Sequence, residues 1–108
     1  MSIVDLDPVI HAPKRLAAMA VLAASTSTDF PFLRAHLGVS DSDLSKQMSA
    51  LERSGYVEVA KTGRGRGAVT RYRITREGTA AFRRHVAALE AIVAAGRSHA
   101  DPVGQPVR

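Results

Sequence analysis

Apolar residues recur at helical spacing in four separate stretches of the chain. In residues 14–24, Leu16, Met19, Ala20 and Ala23 share one face with Leu22 beside them, which predicts a helix begun by Pro13. Residues 30–37 predict a short second helix that buries Phe32 or Leu33 together with Leu37 and ends at Gly38 in the left-handed cap position. Leu44, Met48 and Leu51 form a third stripe, with Gly55 one turn further along. Phe82, Val86, Leu89 and Val93 repeat at four-three-four spacing, and Ile92 widens that stripe in a last helix that starts at Thr75. Between the third and last helices, Val57-Glu58-Val59 and Tyr72-Arg73-Ile74 alternate apolar with polar and predict the two strands of a β-hairpin.

Polar residues punctuate these elements. Ser40 is placed to cap the third helix, with Asp43 three residues on as a weaker substitute for the glutamate of a capping box. Residues 25–29 read as a polar connection able to cap the second helix, and Asp5 and Asp7 before Pro8 favour a short helical turn that Pro13 breaks. Helix, glycine-containing turn and helix make a helix-turn-helix. The expected fold class is therefore mainly α with a small β-hairpin (α+β). Its divisions are an N-terminal extension or short helix over residues 1–12, a core over 13–75, a helix over 75–95 and a disordered tail over 96–108, where periodicity is lost and two prolines and two glycines occur.

The third helix has a distinctive outer face. Ser42, Lys46, Ser49 and Arg53 point away from the apolar stripe, and Ser45 and Gln47 flank them. Hydroxyls, an amide and a cation are donors and acceptors of the kind that read base edges; an ordinary solvated face would look similar. The hairpin tip narrows the choice. From Lys61 to Arg76 there are six cations (Lys61, Arg64, Arg66, Arg71, Arg73, Arg76) and no acid, and Gly63, Gly65 and Gly67 allow close backbone approach. Arginine on such a loop suits phosphate or minor-groove contact.

Charge distribution agrees. The chain of 108 residues has a formal charge of +5, but residues 1–60 hold five Lys/Arg against seven Asp/Glu, while residues 61–108 hold ten against three. Polyanions are thus plausible partners, met by the hairpin half. Length fits one domain with a modest core, near the size at which a second subunit often supplies further buried area. The absence of cysteine excludes disulfides and thiolate metal sites. His11, His36, His85 and His99 are scattered without metal-ligand spacing, and each is read as a surface or capping residue. No metal and no cofactor are expected. Asp41 and Asp43 suit the positive end of a helix dipole better than a catalytic pair, and the Gly-Arg segment lacks the Gly-Lys-Ser/Thr ending of a nucleotide loop. No nucleophile-base pair is visible, so an enzyme is not expected. No apolar run approaches a membrane span and the start lacks a secretion signal, so the expected address is cytoplasmic with no membrane partner.

The run from Leu44 to Val57, the Gly/Arg loop after it, and Arg71-Tyr-Arg-Ile-Thr75-Arg-Glu-Gly78 resemble the winged helix-turn-helix transcriptional regulators of the MarR and ArsR type, above all the small stand-alone ones. Leu6 to Pro13 followed by Arg15-Leu16 resembles their opening, so the likeness covers roughly residues 5–95. It implies a winged helix-turn-helix whose hairpin is the wing and whose last helix dimerises, bound as a homodimer to pseudo-palindromic double-stranded DNA. Ser42, Ser45, Lys46, Gln47 and Ser49 become candidate base contacts. Arg64 and Arg66 become wing-tip contacts, and Arg34, Lys61, Arg71 and Arg73 phosphate contacts. The small and apolar faces of the last helix place Phe82, Val86, Leu89, Ile92 and Val93 at the dimer interface. An unknown small-molecule effector would have to sit at that interface or between the helix and the core. The alternative from another class is a protein-interaction module or an RNA-binding module without sequence readout.

Overall fold

Two capping residues and one glycine set the angle between the helices at the centre of the molecule. In the computed structural model, which describes residues 3–100, helix α1 spans Pro13–Ser25, strand β1 Ser27–Asp29, helix α2 Phe30–Leu37 and helix α3 Asp41–Arg53. The Asp29 carboxylate accepts the Phe32 amide at 2.9 Å and starts α2. Gly38, at φ 67° and ψ 39°, ends it in the left-handed region, with its amide donating to the Arg34 carbonyl at 2.9 Å. The Ser40 hydroxyl then accepts the Asp43 amide at 3.1 Å and starts α3. Asp43 itself does not close a capping box, because its carboxylate is engaged elsewhere, by Lys14 and Gln47.

Strands β2 (Val57–Thr62) and β3 (Val69–Ile74) form the hairpin, and helix α4 covers Arg76–Ala100. The sheet has three strands rather than two: β1 pairs antiparallel with β3, giving the order β1-β3-β2. Residues 27–29, read above as a plain polar connection, thus supply an edge strand with Ser27 opposite Arg73 and Asp29 opposite Arg71. Three residues without an apolar one carry no alternation signal. The hairpin strands also run further towards the tip than the sequence indicated, so that Lys61 sits within β2 opposite Thr70. The tip is a single 3-10 turn over Gly65–Gly67.

The core joins Ile10, Ala18, Met19, Leu22, Leu33, Leu44, Met48, Leu51, Val57, Tyr72, Ile74 and Ala81. The stripe of α3 is as expected, but the face of α1 is rotated. Ala18, Met19 and Leu22 are buried, while Ala20 and Ala23 are exposed. In α2 it is Leu33 that is buried; Phe32 is 51% exposed and stacks on His36 at a centroid distance of 5.6 Å. An alanine-rich helix offers weak directional information, because a methyl group tolerates either environment.

Helix α4 differs most from expectation. Its buried positions are Gly78, Ala81, His85 and Ala88, a narrow stripe turned towards its own domain. Phe82, Val86, Leu89 and Ile92 flank that stripe half-buried, and Val93 is exposed. His85 is fully buried, not a surface or capping residue, and its ring is satisfied by the N-terminal segment packed over it. The helix also continues through Gly96 to Ala100, past the boundary expected at 95, since one glycine does not outweigh the helix-favouring alanines before it and the arginine after it. The part of the expected tail over residues 101–108 lies outside the described residues.

Where α4 begins, it touches the backbone of the α3–β2 turn. Thr75 donates its amide to the Tyr56 carbonyl at 3.0 Å and its hydroxyl to the Gly55 carbonyl at 2.7 Å, and that hydroxyl accepts the Gly78 amide at 2.9 Å. A Cβ on Gly78 would stand 2.2 Å from the Tyr56 carbonyl oxygen, well inside contact distance. Gly78→Ala should therefore destabilise the fold by about 1–3 kcal/mol or more, as forced overpacking does. A thermal melt unchanged from wild type would contradict this close approach.

Candidate nucleic-acid interface

The outer face of α3 and the stem of the wing meet in one open cleft of about 470 Å³, lined by Ser45, Met48, Ser49, Glu52, Val59, Lys61 and Tyr72. Leu44, Met48 and Leu51 bury the opposite face of α3, which turns Ser42, Ser45, Lys46 and Ser49 outward, all exposed. The Ser42 hydroxyl lies 3.3 Å from that of Ser40. Residues 16 positions apart in sequence, Ser45 and Lys61, are thereby brought to one surface, with the ring of buried Tyr72 at its floor. Burial in that floor pushes the Tyr72 phenol above its ordinary range.

Gln47 is placed differently from its neighbours. It is half-buried against α1, its Oε1 accepts from Arg15 Nη1 at 2.8 Å, and its Nε2 donates to Asp43 Oδ1 at 3.0 Å. Both ends of the amide are used inside the protein, so reading a base with it would require breaking both bonds. A helical wheel cannot distinguish a flank that faces solvent from one that faces another helix.

The two acids at the start of α3 are each matched to a cation. Lys14 of α1 reaches Asp43 Oδ2 at 2.5 Å, and Arg34 of α2 reaches Asp41 Oδ1 at 2.7 Å. The hydrogen bonds from Gln47 and then Lys14 hold the Asp43 carboxyl below the usual carboxylate range. Carboxylates here would repel phosphate, and the two pairs offset that locally. The same pairing removes Arg34 from the pool of free cations.

The expected phosphate contacts divide in the same way. Arg71 Nη2 donates to Ser27 Oγ at 3.2 Å and Arg71 Nη1 lies 3.9 Å from Asp29 Oδ2, while Arg73 Nη2 donates to Glu58 Oε1 at 2.9 Å. Both are cross-strand pairs that follow from the register, with Arg71 opposite Asp29 and Arg73 opposite Glu58. The ion pairs among the described residues use Lys14, Arg34, Arg71 and Arg73; none uses Lys46, Lys61, Arg64 or Arg66. Those four side chains are exposed on the α3 face, the wing stem and the wing tip. Sequence reasoning did not single out Lys14, Arg15 or Glu52, because their places depend on which elements lie beside α3: helix α1 for the first two, the wing stem for the third. Among the described residues no group of three or more histidines and acids could hold a metal ion, and no helix is long and apolar enough to cross a membrane.

Known proteins share this arrangement. A family model described as a winged helix DNA-binding domain matches residues 14–93. The fold is similar to a transcriptional regulator homologue from Pyrococcus horikoshii OT3, with a TM-score of 0.75 at 25% identity over 81% of this chain and 86% of that one. It is also similar to the putative transcriptional regulator ytfH of Salmonella typhimurium, with a TM-score of 0.67 at 21% identity over 82% and 84% of the two chains. The zinc-responsive MarR family member ZitR of Lactococcus lactis superposes with a TM-score of 0.56 at 15% identity, over 82% of this chain and 60% of that one. No curated protein sequence gives a match. The matched stretch takes in the helix-turn-helix, the wing and most of α4, and the chain belongs to the winged helix DNA-binding domain family, with the fold of the MarR-type transcriptional regulators.

Proposed function

We propose that the protein is a homodimeric, sequence-specific regulator of transcription that works in the cytoplasm and represses by occupying promoter DNA. The observation that carries this reading is the shared cleft of Ser45, Ser49 and Lys61, with exposed Lys46 on the same helix and the unpaired Arg64 and Arg66 at the tip of the same hairpin. In this arrangement α3 enters a major groove with Ser42, Ser45, Lys46 and Ser49 towards base edges. Arg64 and Arg66 reach the flanking backbone or minor groove, and Lys61 neutralises phosphate at the wing stem. Gln47 acts behind the reading face, holding α3 to α1. Arg34, Arg71 and Arg73 contribute field more than direct contact, being matched to Asp41, Asp29 and Glu58. The reading is of a binding protein, with no catalytic role for any of these groups.

Dimerisation is supported by the length of α4. Its 25 residues extend about 37 Å at 1.5 Å per residue, and between residues 89 and 98 no side chain is buried. The molecule is correspondingly elongated, 64 Å along its longest axis against 27 and 21 Å across. Leu89, Ile92 and Val93 leave an apolar strip on the projecting half, and the equivalent strip of a second copy covers it by antiparallel or crossed helix packing. Two α3 helices would then face successive major grooves of a pseudo-palindromic site.

Gel shifts with salt titration test the division of labour among cations. Replacing Arg64 and Arg66 together with alanine should weaken binding to every duplex and reduce the salt slope by about 1–2 per protomer. The pair Arg71→Ala and Arg73→Ala should cost less, and a larger loss from the second pair would overturn the assignment. Lys46→Ala should cost about 1–3 kcal/mol on the preferred site and relax selectivity at one base pair. Equal affinity of the wild type for selected and random duplex, or preference for single-stranded RNA, would remove the sequence-specific reading in favour of a general nucleic-acid module.

Val93→Glu tests the dimer without disturbing the domain, since Val93 is already 52% exposed. Sedimentation should show a monomer with wild-type helicity and much weaker operator binding. An intact dimer would place the interface elsewhere.

A further inference from the structure

The N-terminal segment is fastened to the fold at both of its ends by polar contacts. At one end, the Asp7 amide donates to Nδ1 of His85 on α4 at 3.0 Å, and Asp7 Oδ2 accepts the Tyr56 hydroxyl at 2.5 Å. Asp7 Oδ1 accepts the amides of Val9 and Ile10 at 2.9 and 3.3 Å, which folds the segment into a turn and presses Ile10 into the core. At the other end, the Val9 carbonyl accepts from Arg15 Nε at 2.6 Å, and the same guanidinium donates through Nη1 to Gln47 of α3. One strap therefore joins α4 to α3.

The chemistry of the His85 contacts fixes its protonation. A backbone amide can only donate, so Nδ1 of His85 must be a bare acceptor and the ring proton of the neutral form must be on Nε2. That Nε2 lies 3.4 Å from Nδ1 of His11, with the rings edge to face at a centroid distance of 5.3 Å. His11 Nδ1 must in turn be bare to accept. A proton added to either ring sets one N–H against another and breaks a bond that the strap depends on. His85 is fully buried, whereas His11 is exposed to solvent.

We infer that the His11–His85 pair is a proton-operated latch, closed when both rings are neutral, that holds the strap on α4 and links proton uptake to the seating of α3 through Arg15 and Gln47. The titratable and charged groups around it are Asp5, Asp7 and His11 on the strap, Tyr56 on the α3–β2 turn, and Glu77 and Arg84 on α4. Burial, followed by the neighbouring His11, holds His85 below the ordinary histidine value, while Asp7 pulls weakly the other way. The hydrogen bond to Asp7, with burial, pushes the Tyr56 phenol up to about 12, so it stays a donor throughout this range. The open state binds more protons than the closed one. The latch therefore weakens as pH falls below the unperturbed histidine value of about 6.5, and is at full strength above it.

The consequence for α3 rests on the DNA-reading role proposed above; the latch itself does not, and amide exchange separates the two. Corrected for intrinsic rates, the protection of the Asp7, Val9 and Ile10 amides should fall at least tenfold between about pH 7.5 and about pH 5.5. In His85→Asn the side-chain oxygen can still accept the Asp7 amide but does not titrate, so the fall should vanish. Equal falls in wild type and His85→Asn, or no fall in wild type, would overturn the latch. Should His85→Asn not fold, His11→Asn at the exposed position serves instead and should reduce the fall. Imidazole nitrogen shifts must also show the proton of His85 on Nε2, and a proton on Nδ1 at neutral pH would overturn the inference outright. A pH-dependent strap in a protein that fails to discriminate DNA sequences would leave the latch standing and remove the regulator.

Discussion

The approach of Gly78 to the Tyr56 carbonyl is the contact on which the arrangement of the whole molecule depends. Within a few ångströms it brings together the turn that ends α3, the start of β2 and the first turn of α4, and Thr75 closes the junction with bonds to Gly55, Tyr56 and Gly78. Any side chain larger than hydrogen at Gly78 would push α4 off the turn. Since α4 is the helix that projects from the domain and α3 the one that carries the polar face, this junction sets the direction of one relative to the other. In the proposed dimer, the relative direction of the two α3 helices would follow from that packing. The constraint is steric, not electrostatic, and so is insensitive to salt and pH.

Charge operates on a different level. The ion pairs of Lys14 with Asp43, Arg34 with Asp41, Arg71 with Asp29 and Arg73 with Glu58 are largely exposed, and pairs of that kind contribute little to stability. Their effect is on the surface potential. By matching the acids at the start of α3 and on the sheet, they leave Lys46, Lys61, Arg64 and Arg66 as unpaired cations on the α3 face and the wing, with Glu52 the unmatched acid of the cleft between them. The glycines of the wing tip leave its arginines open to close approach, while the α3 face is backed by the core stripe beneath it and by the Gln47–Arg15 bond beside it. In the proposed function, affinity from the cationic wing tip and selectivity from the α3 face are separable, because the two lie on different elements.

The strap adds a second, polar connection between α4 and α3. Polar networks of this sort hold firmly when every member is satisfied and fail together when one is not. Among the described residues no buried side-chain nitrogen or oxygen lacks a partner, and the strap network is part of that completeness. A buried imidazole whose two nitrogens each have an assigned role leaves no room for an extra proton.

The sequence by itself determined the features whose causes are local. The Gly38 turn, the Ser40 cap, a polar cap for α2 within residues 25–29, the stripe of Leu44, Met48 and Leu51, and the alternation of the hairpin were all legible because each depends on residues within a turn or a strand pair. The exposed set of Ser42, Ser45, Lys46 and Ser49 followed from the same stripe, and the wing cations from composition. Other features are set by partners distant in sequence, and only the tertiary structure decided them. Strand β1 exists because β3 has a free edge, Gln47 turns inward because Arg15 lies beside it, and Arg71 and Arg73 are paired because the register puts acids opposite. The buried face of α4 escaped notice because Gly78, Ala81 and Ala88 have no apolar bulk to mark it, and because a histidine at its centre resembles a surface residue until Asp7, 78 positions earlier, is seen donating to its ring.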